Sequence, residues 1–153
     1  MCSSDLWENG YLGYPITDEV LSKEQSYQNF QGGTVYWSFM TGAHDVRGAI
    51  RDRYVAWGAE NWGLGLPTSD ETPLRGGAYQ LFWNASIYWS PATGAHVVRR
   101  SIRDTWAGLG WENGPLGYPV ADEVSDGLTT RQDFVHGSIT FDGRKRQATV
   151  TYR

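Results

Sequence analysis

The stretch "LGYPITDE" spans Leu12–Glu19, and the chain repeats it as "LGLPTSDE" from Leu64 and "LGYPVADE" from Leu116. Both intervals are 52 residues. A fixed period without slippage marks a structural repeat, and it decides the fold before any local motif does. Residues 12–63 laid over 64–115 agree at 23 of 52 positions without a gap. A third copy, 116–153, follows the register and then departs from it. Phe30, Phe82 and Phe134 coincide, as do Gln28, Gln80 and Gln132, and Val35, Ile87 and Ile139. "TGAH" stands at 41–44 and again at 93–96.

Within a unit two patterns alternate. "YQNFQGGTVYWS" (27–38), with equivalents at 79–90 and 131–142, reads as a β-hairpin. Its turn is expected at Gly32–Gly33, Asn84–Ala85 and His136–Gly137, because Gly, Asn and His tolerate positive φ. Ala85 fits such a turn less well. The second strand alternates, with Val35 and Trp37 on one face and Tyr36 and Ser38 on the other. The Val/Ile face, carrying Trp37, Trp89 and Phe141, is expected to be core. Next, Val46, Ala49, Ile50, Tyr54 and Trp57 form an apolar helical stripe, and Val98, Ile102, Trp106 and Leu109 repeat it. Helices are therefore expected over 41–58 and 93–110, capped by Thr41 and Thr93 and closed by Gly58 and Gly110. The third copy has no helix and ends in the alternating strand "ATVTY", as a terminal cap would. The fold class is α+β, in units of a hairpin, an amphipathic helix and an LGxP turn. One such unit cannot enclose its own apolar face, so its neighbours must cover it.

Composition bounds the rest. The net charge is −4, which gives no footprint for nucleic acid. No apolar run is long enough to span a membrane. The single cysteine, Cys2, excludes an internal disulfide and a cysteine-based metal site. No cofactor is expected. "CSSDL" (2–6) is also what the tail of a common sequencing-library adapter encodes, so residues 1–6 are expected to be a non-native leader before a single domain over 7–153. "WENG" at 7–10 matches "WENG" at 111–114 and reads as the tail of a preceding unit, as a truncated chain would show. Deleting residues 1–6 is expected to leave the thermal midpoint unchanged; a drop of several degrees would show that they pack.

The Leu-Gly-x-Pro…Asp-Glu octapeptide, the aromatic hairpin and "TGAH-x-V-x-x-x-I" at this period resemble the LGFP repeat family over residues 7–153. Tyr14, Leu66 and Tyr118 replace the family's Phe. The resemblance implies a secreted bacterial envelope protein held on cell-wall polysaccharide, of arabinogalactan or peptidoglycan type. Such repeats often lie beside a mycoloyltransferase or hydrolase domain. It also implies an extracellular, wall-associated location, with the signal peptide lost by truncation.

The residues themselves leave alternatives. His44 and His96, expected at helix starts, either bond a sugar hydroxyl or a metal, or satisfy turn backbone. Asp18/Glu19, Asp70/Glu71 and Asp122/Glu123 resemble paired glycosidase carboxylates. Their threefold repetition instead favours capping of backbone N–H groups or pairing with Arg47/Arg51 and Arg99/Arg103. The repeated glutamines read as buried amides bonded to loop backbone. Tyr36, Tyr88, Trp62, Trp83 and Trp111 are the candidate exposed platforms for a sugar face. A constellation copied in every unit argues against catalysis, and no nucleophile-elbow, zinc-protease or phosphate-loop motif is present. The leading expectation is a non-catalytic wall-binding module without a metal. The alternatives are part of a hydrolase or acyltransferase, or a purely structural or protein-interaction repeat.

Overall fold

A computed structural model describes residues 9–61 and 63–153. Residues 1–8 and Trp62 lie outside the described residues, and with them the expected leader and one of the expected platforms. Each unit contains a four-stranded antiparallel meander rather than a lone hairpin. The first sheet is β1 (Val20–Ser22), β2 (Gln25–Phe30), β3 (Gly33–Ser38) and β4 (Gly42–Val46). Helix α1 (Gly48–Ala56) follows. The second sheet is β5 (Thr72–Leu74), β6 (Gly77–Phe82), β7 (Ala85–Ser90) and β8 (Gly94–Arg99), followed by α2 (Arg100–Gly108). The third is β9 (Val124–Ser125), β10 (Thr129–Phe134), β11 (Gly137–Asp142) and β12 (Gln147–Tyr152), and no helix follows it.

The helices occupy equivalent positions, but they are shorter than the periodicity suggests. "TGAH" opens a strand, not a helix. Val46 and Val98 are fully buried from the ends of β4 and β8, so a strand residue supplies the first point of each apolar stripe. Thr41 and Thr93 close the β3–β4 and β7–β8 turns by bonding Ser38 and Ser90, each at 2.7 Å. The residues before the helices are Arg47 and Arg99, and neither makes a side-chain cap. Gly58 and Gly110 do close the helices in left-handed backbone, at φ 87° and 95°.

The hairpin turns fall one residue earlier than the sequence suggests. Phe30 pairs Gly33 and Phe82 pairs Ala85, so the turn pairs are Gln31–Gly32 and Trp83–Asn84. Ala85 is therefore a strand residue. The turn residues themselves have no positive φ. They are held instead by the LGxP segment, which runs alongside. The N–H groups of Gly32, Asn84 and His136 donate to the carbonyls of Leu12, Leu64 and Leu116 at 2.8, 3.0 and 3.0 Å. Gly13, Gly65 and Gly117 make this possible at φ 66°, 73° and 70°. The recurrent octapeptide is thus a splint on each hairpin, and its leucines are the buried anchors.

The layers alternate sheet, helix, sheet, helix, sheet. Helix α1 packs on β3 of its own unit and on β7 and β8 of the next, and α2 bridges the second and third sheets in the same way. Tyr54 of α1 stacks on Phe82 at 4.5 Å, and Trp106 of α2 lies 5.3 Å from Phe134. Each helix therefore buries the Phe of the following unit. The middle sheet is covered on both faces: Ile87 faces α1 and Tyr88 faces α2. This overturns the expectation of one core face. Tyr36 and Tyr88 are core, each 5% exposed, whereas Trp37 is 46% exposed. Trp89 and Phe141 are half-buried.

Candidate functional site

The second and third acidic pairs form clasps between units. His44 Nδ1 lies 2.9 Å from Asp70 Oδ1, and Glu71 lies 3.9 Å from Arg47. One unit later, Arg99 Nε donates to Glu123 at 2.6 Å and His96 Nδ1 lies 3.4 Å from Asp122. The His-x-x-Arg of one strand thus meets the Asp-Glu of the next unit. The expected arginine pairing is realised by Arg47 with Glu71 and Arg99 with Glu123, whereas Asp122 caps a backbone N–H and takes Arg53, an arginine outside the expected pairs. Asp122 Oδ1 accepts the Val97 backbone N–H at 2.9 Å, while Oδ2 accepts Trp57 Nε1 at 2.7 Å and Arg53 at 3.2 Å. Trp57 and Arg53 belong to the first unit and Val97 to the second, so one third-unit carboxylate ties all three together. Burial raises its pKa, but the nearby His96 ring, the bonds from Trp57 and the Val97 N–H, and Arg53 alongside outweigh that and hold it below the usual carboxylate range. Arg51 turns elsewhere, donating to Thr34 at 2.8 Å.

The glutamines behave as the sequence implies. Gln80 donates to the carbonyls of Ser69 and Asp45, and Gln132 to those of Ala121 and Val97, every bond at 2.8 Å. In each case one acceptor lies in the glutamine's own unit and the other in the preceding one.

His44 and His96 are strand residues, so the helix-terminus argument for them fails. Their Nε2 atoms donate to the carbonyls of Thr41 and Thr93 at 2.9 and 2.8 Å. With Nδ1 turned to an aspartate, both ring nitrogens already face protein oxygens. Tyr36 and Tyr88 are not exposed platforms: their rings meet Tyr54 and Trp106 edge-on at 5.4 and 4.6 Å. Burial pushes both hydroxyls well above the usual phenol range. Trp111 is also packed, stacked 6.1 Å from Tyr88 and edge-on to Trp106 at 5.5 Å. It does so from a left-handed backbone, φ 58°, shared by its counterpart Ala59 at 52°.

Of the described candidates only Trp83 stands out, 56% exposed at the tip of the β6–β7 hairpin. It borders a groove of about 640 Å³ at the first junction between units. Phe39 and Met40 of the β3–β4 turn, 86% and 71% exposed, line it with Leu66. Lys23, Glu24 and Glu60 supply its charged rim. Sequence reasoning missed Phe39 and Met40. The signal was available: Pro91 and Ala92 replace them one unit on, so the fold does not require an apolar pair there.

At the second junction the matching space is filled. There Tyr118 replaces Leu66, and its hydroxyl reaches the Arg75 carbonyl at 3.4 Å. Gly77 makes room for the ring, since a Cβ at that position would lie 2.7 Å from the Tyr118 hydroxyl. At the first junction Gln25 stands in Gly77's place, and the shorter Leu66 leaves the space open among the described residues.

This is a tandem α+β repeat protein whose units interlock through helix, glutamine and acidic clasp. The LGFP repeat family model matches residues 12–61 and 64–114. The chain belongs to that family. Comparison with curated proteins returned no match. No helix among the described residues is long and apolar enough to cross a membrane.

Proposed function

We propose that the protein is a non-catalytic module that holds an extracellular bacterial protein on cell-wall polysaccharide, and that the first-junction groove is where the glycan sits. The observation that carries this reading is the groove itself. Trp83, Phe39 and Met40 expose apolar surface beside charged and polar groups, and nothing in the repeat demands them. A flat ring with hydrogen-bonding groups at its edge suits the C–H face and hydroxyl rim of a sugar. The family's association with envelope proteins supports the same reading. The groove is not repeated at the second junction, so one dominant site is expected rather than several equal ones.

The test is retention on purified, insoluble cell wall. Trp83→Ala should lower retention about tenfold or more, the scale of one buried aromatic anchor, with melting point and far-UV spectrum unchanged. Phe39→Ala should act in the same direction. Unchanged retention in both folded variants would overturn the reading. A second reading rests on Glu24 and Glu60, two carboxylates on one groove. Turnover of glycosidase substrates that is lost in Glu24→Gln or Glu60→Gln would establish it.

A further inference from the structure

The first unit presents to solvent the face that the other two units bury. Phe82 and Phe134 are 2% and 0% exposed beneath Tyr54 and Trp106, whereas Phe30 is only half-buried. Ile87 and Ile139 are fully buried, and Val35 in their register is not. Gln80 and Gln132 each make two carbonyl bonds, one of them to the preceding unit. Among the described residues Gln28 makes only the bond within its own unit, to Thr17 at 2.9 Å. Asp18 and Glu19 are exposed, and among the described residues no basic side chain pairs with them, although both later Asp-Glu pairs are clasped. Every part of the acceptor side of a unit junction is present here, and among the described residues no donor part meets it.

We propose that this face, built on Phe30, Val35, Gln28, Asp18 and Glu19, is a docking surface for the strand–helix face of a further repeat unit. The occupant is defined by the two junctions already described. It must bring a His-x-x-Arg strand to Asp18 and Glu19, a free strand carbonyl to the Gln28 amide, and a helix with an aromatic residue over Phe30. The charges are complementary, because an exposed acidic pair meets a cationic strand. A second copy of this chain cannot supply the partner. Its His44/Arg47 and His96/Arg99 faces are already engaged by its own second and third units. Its third unit carries Ala148 and Thr151 at those register positions and has no helix.

The test extends the full chain with a tandem duplicate of residues 12–63, so that one complete unit precedes Leu12 in register. Stacking units stabilise one another through nearest-neighbour interfaces. The extended chain should unfold in one transition, with a midpoint raised by roughly 5 °C or more. Acrylamide quenching of the emission that Trp37→Phe removes should fall. Asp18→Asn with Glu19→Gln at the new internal junction should lower that midpoint by several degrees. The same pair of substitutions in the unextended chain, or at the terminal pair of the extended one, should leave it unchanged. Two separate transitions, an extended chain that does not fold, or equal responses of the internal and terminal pairs would each overturn the proposal.

Discussion

Trp106→Ala should lower the unfolding free energy by about 3–5 kcal/mol, the range for truncating a large buried aromatic. That is a substantial share of the roughly 5–15 kcal/mol that holds a typical domain. Trp106 is fully buried where α2 meets two sheets, touching Tyr88 on its own side and Phe134 on the other. Its removal opens a cavity at a junction that no nearby side chain can fill without moving a sheet. Denaturant titration measures the effect, and a loss under about 1 kcal/mol would mean the layers do not pack as described. Trp106→Tyr should be far milder. Tyr is the residue at the matching position 54, where its hydroxyl donates to the Gly65 carbonyl at 2.8 Å. The Trp106 indole N–H is buried without a partner among the described residues, so the wild-type ring has no such bond to lose.

Asp122→Ala is the second large effect. Truncation would remove the acceptor of both the Trp57 and the Val97 N–H and one of the two bonds of Arg53, whose Nε still donates to the Ala95 carbonyl. With Asp122 19% and Arg53 37% exposed the pair is only half-buried, so the loss should fall below the roughly 3–5 kcal/mol of a fully buried pair, at about 2–3 kcal/mol, most of it from the two orphaned N–H donors. The chain supplies two controls at equivalent positions. Asp70 is 69% exposed and faces only His44, so Asp70→Ala should cost about 0–1 kcal/mol. Asp18→Ala should cost nothing measurable. A single residue type in one register is thus expected to give three graded results; equal losses at all three would contradict the clasp assignment. The pH dependence has a defined sign. Because the folded pKa of Asp122 is lowered, its stabilisation is fully present above the ordinary carboxylate range and disappears as pH falls through the lowered value. Wild-type stability should therefore decline more steeply than that of Asp122→Ala below about pH 4, the ordinary aspartate value.

The functional site was legible only in part. Trp83 was identifiable because no other copy has an aromatic there, but the same signal misled at Trp111, whose counterpart is Ala59 and which packs on Tyr88 and Trp106. Tyr36 and Tyr88 were misplaced for one reason. Strand alternation shows that a sheet has two faces, but not that a helix covers each of them. With Ile87 under α1 and Tyr88 under α2, both faces of the middle sheet are core, and the Tyr side lost its expected exposure. His44 and His96 were misplaced because Val46 and Val98 fit a helical stripe from the end of a strand.

The sequence by itself determined the number of units, their register, the glycine-dependent LGxP turn, the two equivalent helices and the helix-free final unit. These follow from periodicity and backbone chemistry, which are local and are written once per unit. Only the tertiary structure decided which face each helix covers, that the Asp-Glu pairs close onto the preceding unit, and that the groove beside Trp83 stays open while its counterpart is filled by Tyr118. Those outcomes depend on contacts between residues from about 25 to 70 positions apart, where the volume of one side chain, Leu66 against Tyr118, sets the result.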